Sequence, residues 1–181
     1  MVDITDFRSI ILRDGAVAKS QKFRIEISPD NNFLLGYTDF IRELPFLAAG
    51  SEHPGSGLVT SDIRYYGPSF KIPVKQQFND ITISFIVRGS MDVKNFFDSW
   101  KRYISSGGRG NYDFRFRNEY ATKIKIFQTS ELEGVDDTYM MVLNDAYPIN
   151  VMPLQANWFE DSVHRLGVQF AYTDFESQQQ G

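Results

Sequence analysis

The first half of the chain alternates between apolar and polar side chains in short runs, a pattern typical of β-strands buried on one face. Phe23-Arg24-Ile25-Glu26-Ile27 alternates strictly. Ile81 to Val87 is rich in β-branched residues and alternates at its start. Between these two runs, the pattern predicts extended segments at Phe33 to Leu44, at Leu58 to Tyr66 and at Phe70 to Val74.

One later segment has the period of a helix instead. Ser90 is predicted as its N-cap and Asp92 lies in the first turn, where the helix dipole favours a carboxylate. Ser105 to Gly108 ends the helix, because glycine supplies the left-handed cap. Six apolar residues with helical spacing form one stripe, which we predict to be core: Val93, Phe96, Phe97, Trp100, Tyr103 and Ile104.

The second half of the chain returns to the strand pattern. Several short strands with one amphipathic helix predict a mainly β fold, a β-sandwich or β-barrel with that helix on its flank. The strands predicted in this half are Tyr112 to Phe116, Thr122 to Gln128, Tyr139 to Leu143, Ala146 to Val151 and Val163 to Tyr172.

The length of 181 residues suits one domain with a hydrophobic core. Residues 1–20 are weakly patterned and are predicted to form an N-terminal arm. Residues 21–176 are predicted to form the single β domain. Within it, proline, glycine and serine at 45–57 predict a mobile loop. The polar residues 177–181 are predicted to be a flexible tail.

Composition narrows the function classes. The chain has no cysteine, which excludes disulfides, thiolate metal sites and thiol catalysis. A formal net charge of −4 and a pI of about 5.2 argue against a nucleic-acid clamp. No apolar run is long enough for a signal-peptide core or a membrane span, so no membrane partner is expected.

No group of residues has the spacing of a catalytic, metal or cofactor site. His53 and His164 lack a nucleophile elbow. The acidic residues at 131–137 lack calcium-loop spacing, and Ser105 to Gly110 follows a helix and lacks the lysine of a phosphate loop. The basic residues between 64 and 75 fit strand alternation as well as they fit a single-strand binding surface. We therefore predict neither enzymatic activity nor a cofactor.

From Tyr66 onward the sequence resembles the tail tube protein family of large contractile-tailed bacteriophages. Each motif is moderately specific, but they occur in order over about two thirds of the chain. The motifs are Phe70-Lys71-Ile72-Pro73-Val74, the strand Ile81 to Val87, Phe97-Asp98-Ser99-Trp100, Tyr147-Pro148-Ile149-Asn150-Val151, Leu154-Gln155-Ala156-Asn157-Trp158 and Val168-Gln169-Phe170-Ala171-Tyr172.

The resemblance implies a structural virion protein that acts by self-assembly. Its copies would form homo-hexameric rings, which stack into a hollow tail tube. The contractile sheath would surround the tube, baseplate proteins would bind its end, and tape-measure protein and genomic DNA would occupy its lumen until DNA ejection. Assembly would take place in the host cytoplasm, and the product would reside in the phage tail. The net negative charge suits a conduit through which DNA slides without sticking.

Within a tube wall, one face of a strand packs on the subunit and the other meets the lumen. We predict that Phe33 to Leu44 and Leu58 to Val74 form a long hairpin facing the lumen. Asp39, Thr60 and Asp62 are its candidate lumen residues. The packed face is predicted to contain Leu34, Phe40, Ile63 and Tyr65.

Two alternatives remain open at this point. A tube-like baseplate subunit, on which the tube starts, is favoured by the long segment at 45–57. A monomeric β-barrel for a small ligand would hide its aromatic residues inside one chain and would run at about 21 kDa.

Overall fold

A computed structural model describes residues 4, 20–64, 66–105, 113–129, 137–158 and 162–179. The predicted N-terminal arm therefore lies outside the described residues, apart from residues 4 and 20. The helices are α1 (Asn32–Leu35), α2 (Thr38–Leu47), α3 (Asp92–Ile104) and α4 (Arg117–Tyr120). The strands are β1 (Phe23–Ile27), β2 (Ala48–Ser51), β3 (Ser56–Ile63), β4 (Phe70–Phe78), β5 (Ile81–Ile86), β6 (Thr122–Thr129), β7 (Asp137–Val151), β8 (Arg165–Ala171) and β9 (Asp174–Gln179).

Seven strands form the main antiparallel sheet. Six of them follow the order β1-β6-β7-β8-β5-β2, and β9 adds to β7 beside β8. Strands β3 and β4 form a separate two-stranded sheet. The predicted mainly β class is confirmed, and the sheets are not closed into a barrel.

Strand β7 organises the main sheet because it changes partners along its length. Its first part pairs with β6 on one edge and with β9 on the other. From Tyr147 to Val151 it pairs with β8 alone among the described strands. The change occurs next to Asp145, whose φ of 53° is left-handed. The two strands predicted at 139–143 and 146–151 are thus one strand with a bend.

A polar cluster holds this bend. The Thr173 hydroxyl, between β8 and β9, donates to Asp145 Oδ2 at 3.2 Å. Arg117 donates to the Asp145 carbonyl oxygen at 3.4 Å and to the Thr173 hydroxyl. These contacts fix the point at which the chain crosses from β8 to β9 along one edge of β7.

Helix α3 supplies the centre of the core. It begins after Met91, whose φ is 54°, so the predicted N-cap at Ser90 is displaced by one residue. Trp100 is fully buried, and its indole N–H donates to the Tyr120 carbonyl oxygen at 3.1 Å. Of the six predicted stripe residues, Tyr103 and Ile104 are half-buried and the other four are buried: Val93, Phe96, Phe97 and Trp100.

The prediction of an extended segment at Phe33 to Leu44 was wrong, because this segment forms α1 and α2. Leu34, Ile41 and Leu44 are buried in the main core. Ile41 and Leu44 lie three residues apart on α2, which is a helical spacing that an interpretation with a period of two misses. The Asn31 side chain also accepts from the Leu34 N–H at 2.8 Å, which caps α1.

Three further predictions on local structure need correction. Residues 45–57 contain the end of α2, strand β2 and the start of β3, so only residues 52–55 lack regular structure; their mobility stays a prediction. Residues 113–116 are not a strand. Residues 177–179 of the predicted tail belong to β9, where Ser177 pairs with Met141. Most residues of β9 are polar, and the strand forms because it pairs with the edge of β7 and not because its sequence alternates between apolar and polar residues.

Replacement of Asn31 with alanine is expected to lower the free energy of unfolding by about 1–3 kcal/mol. Asn31 is buried, and its amide also donates to the carbonyl oxygens of Tyr120 and Ala121 at 3.0 and 3.3 Å. The neighbouring Asn32 is exposed, so Asn32→Ala is the matched control, expected within about 0.5 kcal/mol of the parent. Urea unfolding measures both values, and equal small losses would contradict the role of Asn31.

Candidate assembly surface

The β3–β4 hairpin is the least covered part of the described chain. All residues of β3 except Ile63 are exposed, as are all residues of β4 except Ile72 and Phe78. Its pairing runs from Ser56 opposite Phe78 to Ile63 opposite Phe70. A two-stranded ribbon alone is marginally stable in water. This hairpin therefore needs a surface outside its own two strands.

The register gives the hairpin one apolar face at its outer half. Directly opposite residues point to the same face, and a bulge at Val74 shifts β4 by one residue between the pairs Val59–Lys75 and Thr60–Pro73. Phe70 on the apolar face is 53% exposed. In the outer half, Ile63, Phe70 and Ile72 define the apolar face, and Thr60, Asp62 and Lys71 define the polar face. Nearer the base the faces are mixed, because Lys75 lies beside Val59 on the first face and Leu58 and Phe78 lie on the second.

The hairpin continues the antiparallel pair β2–β5 of the main sheet. Four residues, 52–55, join β2 to β3, and two residues, 79–80, join β4 to β5. At this joint the Glu52 carboxylate accepts from the Thr82 N–H at 2.9 Å, and the Asn79 N–H donates to the Gly55 carbonyl at 3.4 Å. The direction of β2 thus sets the direction in which the hairpin leaves the main sheet.

An aromatic cluster anchors the base of the hairpin. The Phe78 ring lies 6.2 Å from the Tyr172 ring and 5.8 Å from the Phe175 ring, centroid to centroid. Burial raises the pKa of the Tyr172 hydroxyl, and the nearby Asp80 carboxylate raises it further. That hydroxyl is buried with no hydrogen-bond partner in the described part of the chain. These ring contacts hold Phe78, the last residue of β4, against the main sheet.

Four strands of the main sheet, in the order β2-β5-β8-β7, end in two free edges. β2 is the terminal strand, and within the described ranges it pairs only with β5. At the other end, residues 147–151 of β7 pair with β8 and have no partner strand on their second edge among the described residues. Free edges are templates for pairing with another chain.

Away from the core, the middle of these four strands presents uncharged side chains, and Arg165 lies at one end of the same face, opposite Ile86. Gly50, Ser84 and Gly167 lie side by side on β2, β5 and β8. Thr82 lies beside Gln169 on β5 and β8. All five are partly accessible. Their partners on the opposite face, such as Ile83 and Val168, are fully buried.

An apolar groove of about 420 Å³ lies beside the free edge of β7. Phe114, 72% exposed, borders the groove, and Phe116 nearby is 79% exposed; we refer to these two side chains as the Phe114–Phe116 patch. Arg115 fixes this segment to α3 by donating from Nε to the Tyr103 carbonyl at 3.0 Å. The groove is lined by Lys101, Arg102, Ile104, Ser105, Phe114, Tyr147, Pro148 and Ile149.

The structure separates the three candidate lumen residues. Thr60 and Asp62 share the polar face of the hairpin, where Asp62 lies opposite Lys71. Asp39 is exposed on helix α2 and is not part of the hairpin. Of the residues assigned to the packed face, Leu34 and Phe40 also lie on the helical segment. Tyr65 lies outside the described residues.

Within the described residues, the structure does not bring together the histidines and acidic residues considered as candidates for catalysis or metal binding. His53 is exposed between β2 and β3, and His164 is exposed just before β8. Of the acidic segment only Asp137 is described, and it pairs with Arg24 at 2.7 Å. Across the described ranges, His, Asp and Glu side chains form no group of three able to hold a metal ion. None of the described helices is both long enough and apolar enough to cross a membrane.

Comparison with solved structures places this fold among chains of contractile injection assemblies. A chain of the anti-feeding prophage baseplate, 6-fold symmetrised, is 14% identical with a TM-score of 0.64, covering 91% of this chain and 97% of that one. A chain of the PVC sheath-tube complex in its extended state is 13% identical, with a TM-score of 0.62 and coverages of 95% and 97%. A chain of the anti-feeding prophage tube-terminating cap is 13% identical, with a TM-score of 0.63 and coverages of 94% and 99%.

Sequence comparison identifies the family. The family model described as phage tail tube protein matches residues 17–178. The chain therefore belongs to the phage tail tube protein family, as its motifs predicted. It is a structural protein with a tube-like role and not an enzyme. A search of the curated proteins finds no match.

Proposed function

We propose that this protein forms homo-hexameric rings that stack into the hollow tail tube of a contractile particle. The observation that carries the proposal is the exposed apolar face of the β3–β4 hairpin. Burying a side chain such as Phe70 contributes about 1.5–3 kcal/mol, and the described chain offers the outer half of the hairpin no cover. A second copy supplies that cover in an assembled tube.

The two free edges support a ring rather than a two-fold dimer. β2 and the 147–151 edge of β7 are different surfaces at opposite ends of four strands. A contact between two different surfaces is heterologous, and it closes into a ring when the rotation permits. Each copy in such a ring uses both edges, so no edge strand of this part of the sheet stays open.

Two of the similar structures support the ring size and the partners that we propose. The matched baseplate is 6-fold symmetrised, and another matched chain comes from a sheath-tube complex. We extend both features to this chain: six copies in a ring, with a contractile sheath outside the tube and baseplate proteins at its end. In the phage setting, the tape-measure protein and then genomic DNA occupy the lumen, and the tail of the virion, assembled in the host cytoplasm, is the site of action.

The uncharged middle of the β2-β5-β8-β7 face suits the wall of a DNA conduit. Ser84, Thr82 and Gln169 offer hydrogen bonds without cations, and Arg165 at one end of the face is the cation that these four strands contribute to it. We place Thr60 and Asp62 of the polar face of the hairpin toward the same lumen. Asp39 is left out of this proposal because helix α2 packs on the core side of the sheet through Ile41 and Leu44.

Asp62→Lys is expected to make assembled tubes retain DNA at low salt, with retention lost as salt rises. The substitution places a second cation beside Lys71, and every ring repeats it. The measurement is the amount of short duplex DNA that tubes protect from nuclease over a salt series. Asp39→Lys makes the same charge change on α2 and is the matched control. Equal protection by both variants would contradict the lumen assignment of Asp62.

Electron microscopy of the concentrated purified protein tests the proposed function. Rings or tubes of uniform bore are expected, with six copies in each ring. Sedimentation across a wide concentration range provides the second measurement. A chain that stays monomeric at every concentration and is missing from purified phage particles would overturn the proposal.

A baseplate ring on which the tube starts is the second candidate, favoured by the likeness to a baseplate chain. Copy number separates the two candidates. A repeated tube protein is present in many rings per particle, whereas a tube initiator is present in about one ring. Quantitative mass spectrometry of purified particles, with the sheath protein as the internal standard, gives this number.

A further inference from the structure

We propose that Arg165 binds the backbone phosphates of duplex DNA at one end of the lumen. In each ring the copies of this residue form a circle of guanidinium groups, which we call the Arg165 belt. The proposal rests on the proposed ring and on the placement of the β2-β5-β8-β7 face toward the lumen. It adds a phosphate-binding site to a wall whose middle is uncharged.

The strand register fixes the side of the sheet on which Arg165 lies. Arg165 is the first residue of β8, and it lies opposite Ile86 of β5. The next residue, Leu166, is fully buried, so Arg165 projects from the face away from the core. Arg165 is exposed, and Ser84 and Gly167 in the row beside it are small. The guanidinium group therefore has room to reach into the space that this face lines.

The charge of Arg165 is not matched by a carboxylate, in contrast to that of a second arginine near this end of the sheet. Arg88 donates to Glu43 Oε2 at 2.5 Å and lies 3.5 Å from Asp92 Oδ2. Arg165 forms no ion pair with any residue that the structure describes. A guanidinium group without an internal partner is available to phosphate, which it binds through two parallel N–H···O bonds.

The strands of this face have unlike charges at their two ends. Ile86 and Thr82 on β5 are separated by about 13 Å at the usual rise of a strand. Arg165 lies at the Ile86 end, whereas the Glu52 carboxylate accepts from the Thr82 N–H at 2.9 Å. A polyanion is attracted at the first end and repelled at the second. Phosphate contact is therefore confined to the Arg165 end.

The symmetry of the belt favours duplex DNA over an acidic polypeptide as the ligand. Duplex DNA carries a phosphate about every 1.7 Å along its axis, and its phosphates lie on all sides. It therefore meets the belt in any rotational position, whereas a polypeptide presents carboxylates only where its sequence contains them. One salt-screened contact per copy holds the duplex weakly, and the uncharged rows between belts let it slide.

Protection of short duplex DNA from nuclease by assembled tubes at low salt tests the belt. For Arg165→Gln we expect protected DNA to fall at least about three-fold, because one phosphate contact is lost in every copy. Arg165→Lys keeps a cation and is expected to retain most of the protection. Arg102→Gln is the matched control, since Arg102 is exposed on helix α3 and not on these four strands, and the parent level is expected.

A salt series provides the second measurement. The logarithm of the apparent binding constant falls linearly with the logarithm of the salt concentration, and we expect the slope for Arg165→Gln to be shallower than that of the parent by at least about 1. Excess polyglutamate is expected to leave the DNA in place. Its displacement of the DNA would make the belt a site for acidic polypeptides and would overturn the assignment to DNA.

The results that overturn the belt are separable from those that overturn the ring. Tubes that form normally but hold equal DNA in Arg165→Gln and Arg102→Gln, or parent tubes that hold none, overturn this inference and leave the proposed ring intact. Failure of Arg165→Gln to form rings, when Arg102→Gln forms them, places Arg165 in a contact between copies and also overturns it. A parent chain that forms no rings overturns both proposals.

Discussion

Replacement of Trp100 with alanine is expected to lower the free energy of unfolding by about 3–5 kcal/mol, the usual cost of truncating a large core aromatic residue. Trp100 is fully buried and lies among Phe96, Phe97 and Phe170, with ring centroids at 5.9–6.4 Å. The substitution leaves a cavity and removes the indole donor from the Tyr120 carbonyl oxygen. Chemical unfolding followed by circular dichroism measures the loss.

Two controls separate the effect of burial from that of the helix itself. Asn95 is exposed on the same helix, so Asn95→Ala is expected to be neutral or slightly stabilising. Trp100→Phe keeps a ring but lacks the donor, and we expect a loss between those of the two alanine variants. A loss for Trp100→Ala no larger than that for Asn95→Ala would show that Trp100 is not a central core residue.

Phe70→Glu is expected to weaken assembly while leaving the monomer folded. The residue is half-exposed in the single chain, and its substitution removes about 1.5–3 kcal/mol of burial from every contact that covers the apolar face of the hairpin. A carboxylate buried without a partner adds a further cost. Since about 1.4 kcal/mol corresponds to ten-fold in an equilibrium constant, the concentration needed for ring formation is expected to rise at least about ten-fold. Sedimentation velocity measures this concentration.

Thr60→Glu supplies the same charge on the polar face of the same hairpin and is the matched control. Rings are expected to form from this variant at nearly the parent concentration. Thermal unfolding of both variants as monomers tests whether the substitutions act on assembly alone. If Phe70→Glu assembles as readily as Thr60→Glu, the apolar face of the hairpin is not a contact surface between copies.

In the ring that we propose, other copies of the chain cover the hairpin and the two free edges. The core that holds these surfaces is complete within one chain, since the buried residues of β1, β5, β6, β7 and β8 pack with α2 and α3. We therefore expect stability and assembly to respond to different substitutions. Trp100 and Asn31 belong to the first set, and Phe70 belongs to the second.

The periods of apolar residues along the chain were sufficient to predict the mainly β class and several of its elements. The apolar stripe of α3 and the alternation in β1 and β5 each follow from one period along the chain. The motifs from Phe70 to Tyr172 indicated the family because they keep their order over a long stretch. In each case the pattern reflects burial of one face, a property that neighbouring residues share.

Other features became evident from the structure, because they depend on contacts between residues far apart in the chain. α1 is capped by Asn31, whose amide is satisfied by carbonyl oxygens about 90 positions later. β9 is a strand because β7 offers it an edge, although Asp174 to Gln179 is mostly polar. The free edge of β7 exists because β6 leaves β7 at Ala146. A pattern of apolar and polar positions reports which side of an element is buried, whereas the partner of that element is set by three-dimensional packing.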